Sequence, residues 1–172
     1  NGRVCKQLFA LPRGRAFFFA AVLRKEPDMS FLIEGCRIYA GGQSVSRPLG
    51  VSQGRIVSVD TVCDAPVFHF DDCVLLPGLV DVHGHLREPG FSYKETIGTG
   101  TLAAAHGGFT AVCAMPNLNP VPDSVESLNV QLDMIRRAAR IDVRPYGALT
   151  VGEKGEQIAD LEGMAPNVIA FS

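Results

Sequence analysis

The chain has no tryptophan, no C-x-x-C pair and no apolar run of membrane-spanning length. A bilayer span takes about 20 consecutive apolar residues. The closest candidate, residues 16–23, ends after eight at Arg24, so no transmembrane helix is expected. Five cysteines (Cys5, Cys36, Cys63, Cys73 and Cys113) are odd in number and scattered. They support neither a disulfide frame nor a zinc knuckle, and read as reduced thiols in a cytoplasmic protein. A basic excess is also missing. With a net charge of −2 the chain carries no electrostatic footprint for nucleic acid. The 47% apolar content is that of a soluble globular protein with a real core. Neither a nucleic acid nor a membrane is expected as a partner.

The start of the chain differs in character from the remainder. Residues 1–28 hold six basic and two acidic residues, a charge of +4 against −6 for residues 29–172. A basic start followed by a short apolar run imitates a signal peptide. The run is too short, however, closes on Arg24, Lys25, Glu26 and Pro27, and is followed by no small-x-small cleavage site. Residues 1–28 are therefore read as an extension that is not part of the fold, with a targeting peptide as the lesser alternative. Met29 opens a segment of strand character.

Residues 29–76 offer short β-like runs at 31–33, 37–39, 55–59 and 67–70, punctuated by Gly41, Gly42, Pro48, Gly50, Gly54 and Pro66. This is expected to be part of a small β-sandwich domain. From Pro77 the grammar changes. Strands are expected at 79–83, 109–114, 141–151 and 167–171. Helices fall between them: one opened by an S-x-x-E capping box at 92–95, one from about Asp123, and one at 156–164. In the second helix Val125, Leu128, Leu132 and Ile135 fall on one face. Alternating strands and helices at this pitch form parallel β/α units. A complete (β/α)8 barrel runs to about 250 residues. The expectation is α/β: the first half of a TIM-like barrel at 77–172, truncated at its carboxyl end.

Side chains two apart on a strand share a face. Asp81, His83 and His85 therefore project together, as does Arg87 if the extended backbone continues. Two imidazoles at H-x-H spacing can converge on one cation, and neutral imidazole suits zinc. A lone H-x-H is more often two solvated histidines. Here it stands at the carboxyl end of a barrel-type strand, where such folds carry active sites, and this context favours a metal. Asp81 has two readings: an acceptor that orients one of the histidines, or a structural carboxylate in the barrel floor. His69 and His106 read as structural, and Lys94 and Lys154 as solvated. On residue type alone, Arg87 reads as a surface ion pair with Glu88 or Glu95, and Asn117 as a turn residue beside Pro116.

The run LPGLVDVHGHLREPG at 76–90, followed by YKET at 93–96, GGFT at 107–110, CAMPN at 113–117 and PVPD at 120–123, closely resembles the dihydroorotases of the amidohydrolase superfamily. The resemblance extends from about Met29 to Ser172. It implies a metal-dependent cyclic amidohydrolase that interconverts dihydroorotate and N-carbamoyl-aspartate in pyrimidine biosynthesis. By resemblance, His83 and His85 bind catalytic Zn2+, one or two ions, while Arg87 and Asn117 grip the substrate carboxylate. A planar guanidinium suits that task. The general base is expected on a late strand, beyond residue 172, so the 172 residues alone are expected to be inactive. No lysine occurs at 167–171, which argues against a carboxylated-lysine ligand there. Gly84 stands where the family often has a branched apolar residue, and is expected to loosen local packing without removing a ligand. The implied partners are a small-molecule substrate and either a second copy, as a homodimer, or aspartate transcarbamoylase. The rival readings are a hydantoinase or allantoinase, and a non-catalytic dihydroorotase-like scaffold of a transcarbamoylase.

Overall fold

The computed structural model describes residues 8–12 and 30–172. The chain divides into two compact units, residues 1–79 and 80–172.

In the first unit, strands β1 (Leu8–Pro12), β2 (Phe31–Glu34), β3 (Arg37–Ala40), β4 (Gln43–Ser46), β5 (Leu49–Ser52), β6 (Arg55–Val57), β7 (Val67–His69) and β8 (Cys73–Pro77) form two four-stranded sheets. One has the order β1-β8-β3-β4 and the other β6-β5-β2-β7. Alternation explains what they bury. Phe31 and Ile33 on β2, Leu49 and Val51 on β5, Ile38 on β3, and Cys73 and Leu75 on β8 meet in one core, with Phe68 and Phe70 against it. The rings of Phe31 and Phe68 meet edge to face at 5.5 Å, a geometry that adds to their area burial.

Within residues 1–28, Leu8–Pro12 pairs antiparallel with β8 from Leu8↔Pro77 to Pro12↔Cys73. On its other side β8 pairs with β3. An uncharged five-residue strand here satisfies main-chain groups that the edge of β8 would otherwise leave open. The rest of 1–28 lies outside the described residues. Strands β4, β5 and β8 are not among those expected from the sequence pattern.

The second unit has the sheet order β12-β11-β10-β9, built from β9 (Leu79–Gly84), β10 (Phe109–Ala114), β11 (Asp142–Gly147) and β12 (Ala170–Phe171). β10 and β11 pair in parallel, as do β11 and β12. Helices α1 (Ile97–His106), α2 (Val125–Ala138) and α3 (Leu161–Met164) connect them. The unit is α/β with a parallel sheet, as expected, though β11 and β12 are shorter than the runs read from sequence. α2 buries Leu128 and Ile135, and Val125 and Leu132 pack with Leu128, Ala159 and Met164. Full burial of each such side chain contributes about 1.5–3 kcal/mol.

α1 does not begin where the S-x-x-E spacing placed it. Its cap is Thr96, whose side chain accepts from the Thr99 main chain, while Thr99 returns a bond to the Thr96 main chain. Ser92 instead donates to Glu88 Oε1 at 2.9 Å. The later T-x-x-T prevails because two carboxylates also serve that terminus. Glu88 Oε2 accepts the Ile97 N–H at 2.8 Å, and Glu95 Oε1 the Thr96 N–H at 2.9 Å, placing negative charge at the positive end of the helix. Among the described residues, no helix is long and apolar enough to cross a membrane.

Candidate metal centre

β9 ends at Gly84, and the chain then turns through residues 85–96 into α1. The corresponding segment after β10, residues 115–124, lies beside it. Met115 N donates to Gly84 O at 2.9 Å, and Asn119 N to Pro89 O at 3.1 Å. Gly90 has φ +96°, and a Cβ there would collide with the main chain of Asn119. Both the backbone conformation and the space therefore call for glycine.

Where β9 passes into its loop, the rings of His83 on the strand and His85 just past it stand 5.2 Å apart, centroid to centroid, with their planes 68° apart. Both side chains are exposed. Two imidazoles bonded at ~2.1 Å to one tetrahedral zinc also have centroids roughly 5 Å apart, so the observed spacing fits a shared cation. Among the described residues no group of three or more His, Cys, Asp and Glu side chains could hold a metal. The pair by itself falls short of the three protein ligands that a zinc site normally needs.

Asp81 accepts the His83 main-chain N–H on Oδ1 at 3.0 Å. Neither histidine ring bonds to it. The ring partner is Asn117, whose Oδ1 lies 2.8 Å from His85 Nδ1. Residue type alone makes Asn117 a turn residue beside Pro116, and resemblance gives it the substrate carboxylate; neither reading includes this contact. The signal for this contact was the placement of both residues just past adjacent strand ends.

Arg87 has φ +64°, in the left-handed region. Continuation of the strand alternation through Arg87 is therefore corrected: the extended backbone breaks between His85 and Arg87. Such a conformation is unusual for a residue with a long side chain. Arg87 makes no ion pair among the described residues. Glu88 and Glu95, its suggested partners, are occupied at the start of α1. Nor does a hydrogen bond join Arg87 to the histidines or Asn117.

On β10, burial pushes the Cys113 thiol up, the negative charge of Asp81 adds to this, and Arg144 opposes it. Arg144 Nε is paired with Asp142 at 2.7 Å. Tyr146 donates its hydroxyl to Val82 O at 3.1 Å, tying β11 to β9. The alternation of Asp142, Arg144 and Tyr146 on β11 is the signal from which this arrangement could have been found. His69 lies 3.7 Å from Glu34 in the first unit, and His106 ends α1, so neither adds to the pair. Lys94 stands over the Phe91 and Tyr93 rings at 5.4 and 5.6 Å.

The family profile described as dihydro-orotase-like matches residues 72–171. The chain belongs to this family. Among its curated relatives, a dihydroorotase of Fusobacterium nucleatum is 42% identical over 144 residues, covering 82% of this chain and 34% of the relative. A dihydroorotase of Bacillus thuringiensis is 48% identical over 124 residues, 70% of this chain and 29% of its own length. The chain thus spans about a third of the length of these dihydroorotases. Of solved structures, the L-hydantoinase of Arthrobacter aurescens aligns with a TM-score of 0.64 at 18% identity, covering 82% of this chain and 32% of that one. The dihydropyrimidinase of Brevibacillus agri aligns at 0.61 and 25% identity, covering 71% and 28%. The hydantoinase likeness supports the fold, while the dihydro-orotase-like assignment rests on the sequence matches.

Proposed function

We propose that the chain forms the first β/α units of a TIM-like barrel in a zinc-dependent dihydroorotase, hydrolysing the cyclic amide of dihydroorotate to N-carbamoyl-aspartate and closing it in reverse. The observation that carries this reading is the convergence of the His83 and His85 rings at 5.2 Å at the end of β9. Residues 29–76 belong to the accompanying β-sandwich domain.

His83 and His85 would hold Zn2+, with the rest of its ligand set outside the described residues. Bound there, the metal supplies a water acidified towards a pKa of about 7 and polarises the scissile carbonyl. The chain's own groups bind and orient. Asp81 fixes the main chain at His83. Arg87, free of ion pairs among the described residues, offers its guanidinium to the substrate carboxylate, and the Asn117 amide donates beside it. The proton passed to the leaving nitrogen would come from a carboxylate on a later strand.

A hydantoin lacks the carboxylate that Arg87 would bind, which favours dihydroorotate over the hydantoinase and allantoinase alternatives. The test is turnover of dihydroorotate and of hydantoin by the zinc-loaded full-length enzyme that contains this chain, beside its His83→Ala and His85→Ala variants. Expected are preference for dihydroorotate and loss of both zinc and turnover in each variant. Faster hydrolysis of hydantoin would move the assignment to the other branch. Zinc retained without either turnover would favour the non-catalytic scaffold.

A further inference from the structure

Asn117 carries two polar side-chain atoms, and the structure commits one of them. Its Oδ1 lies 2.8 Å from His85 Nδ1. A carboxamide oxygen only accepts hydrogen bonds, so the contact requires the proton on Nδ1. A neutral imidazole protonated at Nδ1 has its lone pair on Nε2. The other candidate for this duty, Asp81, has Oδ1 on the His83 main-chain N–H instead. Among the described residues no side chain bonds the His83 ring, so the restraint falls on His85 alone.

We infer that Asn117 is a positioning residue for the metal: it holds His85 in the Nδ1–H tautomer with Nε2 turned to the cation, and leaves its own Nδ2 amide for the substrate carboxylate. The inference rests on the metal-centre reading above and adds a duty to a residue that resemblance assigns to substrate alone. One side chain then joins the two binding events. It also reaches from the loop after β10 to the end of β9, so it steadies the exposed ring against rotation.

Two measurements on the purified full-length enzyme that contains this chain test this. Long-range 1H–15N correlation spectra of the metal-free protein report which nitrogen of His85 carries the proton. Competition with a chromogenic chelator gives zinc and Co2+ affinities for wild type, Asn117→Ala, Asn117→Asp and Arg87→Ala. The expected results are Nδ1–H on His85 and a 10–100-fold loss of metal affinity in Asn117→Ala, the usual size of about one to two decades for removing such a partner. Asn117→Asp keeps an acceptor oxygen and should bind metal at least as tightly as wild type, while its affinity for N-carbamoyl-aspartate falls. Arg87→Ala should lose affinity for that ligand only. A wild-type His85 protonated at Nε2, or undiminished metal affinity in a folded Asn117→Ala, overturns the positioning role and leaves the dihydroorotase reading standing. A wild type that binds neither metal overturns both.

Discussion

A Cβ built on Gly84 would lie 2.6 Å from Val112 Cγ1, so Gly84 on β9 and Val112 on β10 share one space between their strands. Val112 is 2% exposed and has little room to swing away. The expectation that glycine loosens the packing here is thereby reversed: the absent side chain is replaced by a neighbour's. Gly84→Val should cost about 1–3 kcal/mol through overpacking, and adding Val112→Ala should recover part of it. Urea unfolding of the two single variants and the double variant checks this. Strictly additive losses would refute the shared space.

Glu88 ties the loop after β9 to the first turn of α1 through the Ile97 N–H and the Ser92 hydroxyl. Glu88→Ala should destabilise the protein by about 0.5–2 kcal/mol, the range for losing a helix cap. Glu88→Gln keeps an acceptor and gives up only the charge, so it should cost less. Chemical denaturation that ranks the two equally would indicate that the charge alone mattered.

In the proposed reading, Arg87 of the full-length enzyme binds the substrate carboxylate and takes no part in holding the metal. Arg87→Lys replaces a planar fork with a point charge. The KM for N-carbamoyl-aspartate should then rise about tenfold or more, each tenfold corresponding to about 1.4 kcal/mol, with zinc content unchanged. Steady-state kinetics beside metal analysis would decide. An unchanged KM would return Arg87 to a structural role.

Burial pushes the thiols of Cys36, Cys73 and Cys113 above the ordinary value of 9.0. Of the four described cysteines only Cys63 is exposed. In a Cys5→Ser background near pH 8, a thiol reagent should label Cys63 rapidly and the other three only as the protein unfolds. The folded state holds these three protons more tightly than the unfolded chain. Their contribution to stability is therefore complete below pH about 9 and is lost as pH rises through the folded values. Denaturation midpoints measured from pH 8 upward should fall on this account, and rapid labelling of all four sites at pH 8 would contradict it.

The histidine pair was legible because its information is local: a period of two, a strand and a preceding Pro-Gly are all contained in the run 76–85. The condition that would keep Arg87 on the strand face, a backbone still extended there, fails at φ +64°, in a loop held by contacts such as Gly90 against Asn119 that the run itself does not encode. The S-x-x-E spacing was a real local pattern that lost to the cap at Thr96 once Glu88 reached Ile97. β4 was passed over because it is exposed along its whole length and carries no buried-face alternation. β1 could not be read at all from its own residues, since its pairing partner lies on β8.

The two units differ in how far apart in sequence their paired strands lie. From β9 to β12 every neighbour in the sheet is also the next strand along the chain. In the first unit, β1 finds β8, with Leu8 opposite Pro77. Closing so long a loop costs entropy before any contact repays it, and folding slows as pairings become less local. The β9–β12 sheet, which bears the histidine pair, should therefore gain amide protection earlier in refolding than the β1–β8 ladder. Pulsed hydrogen exchange during refolding would read this order directly.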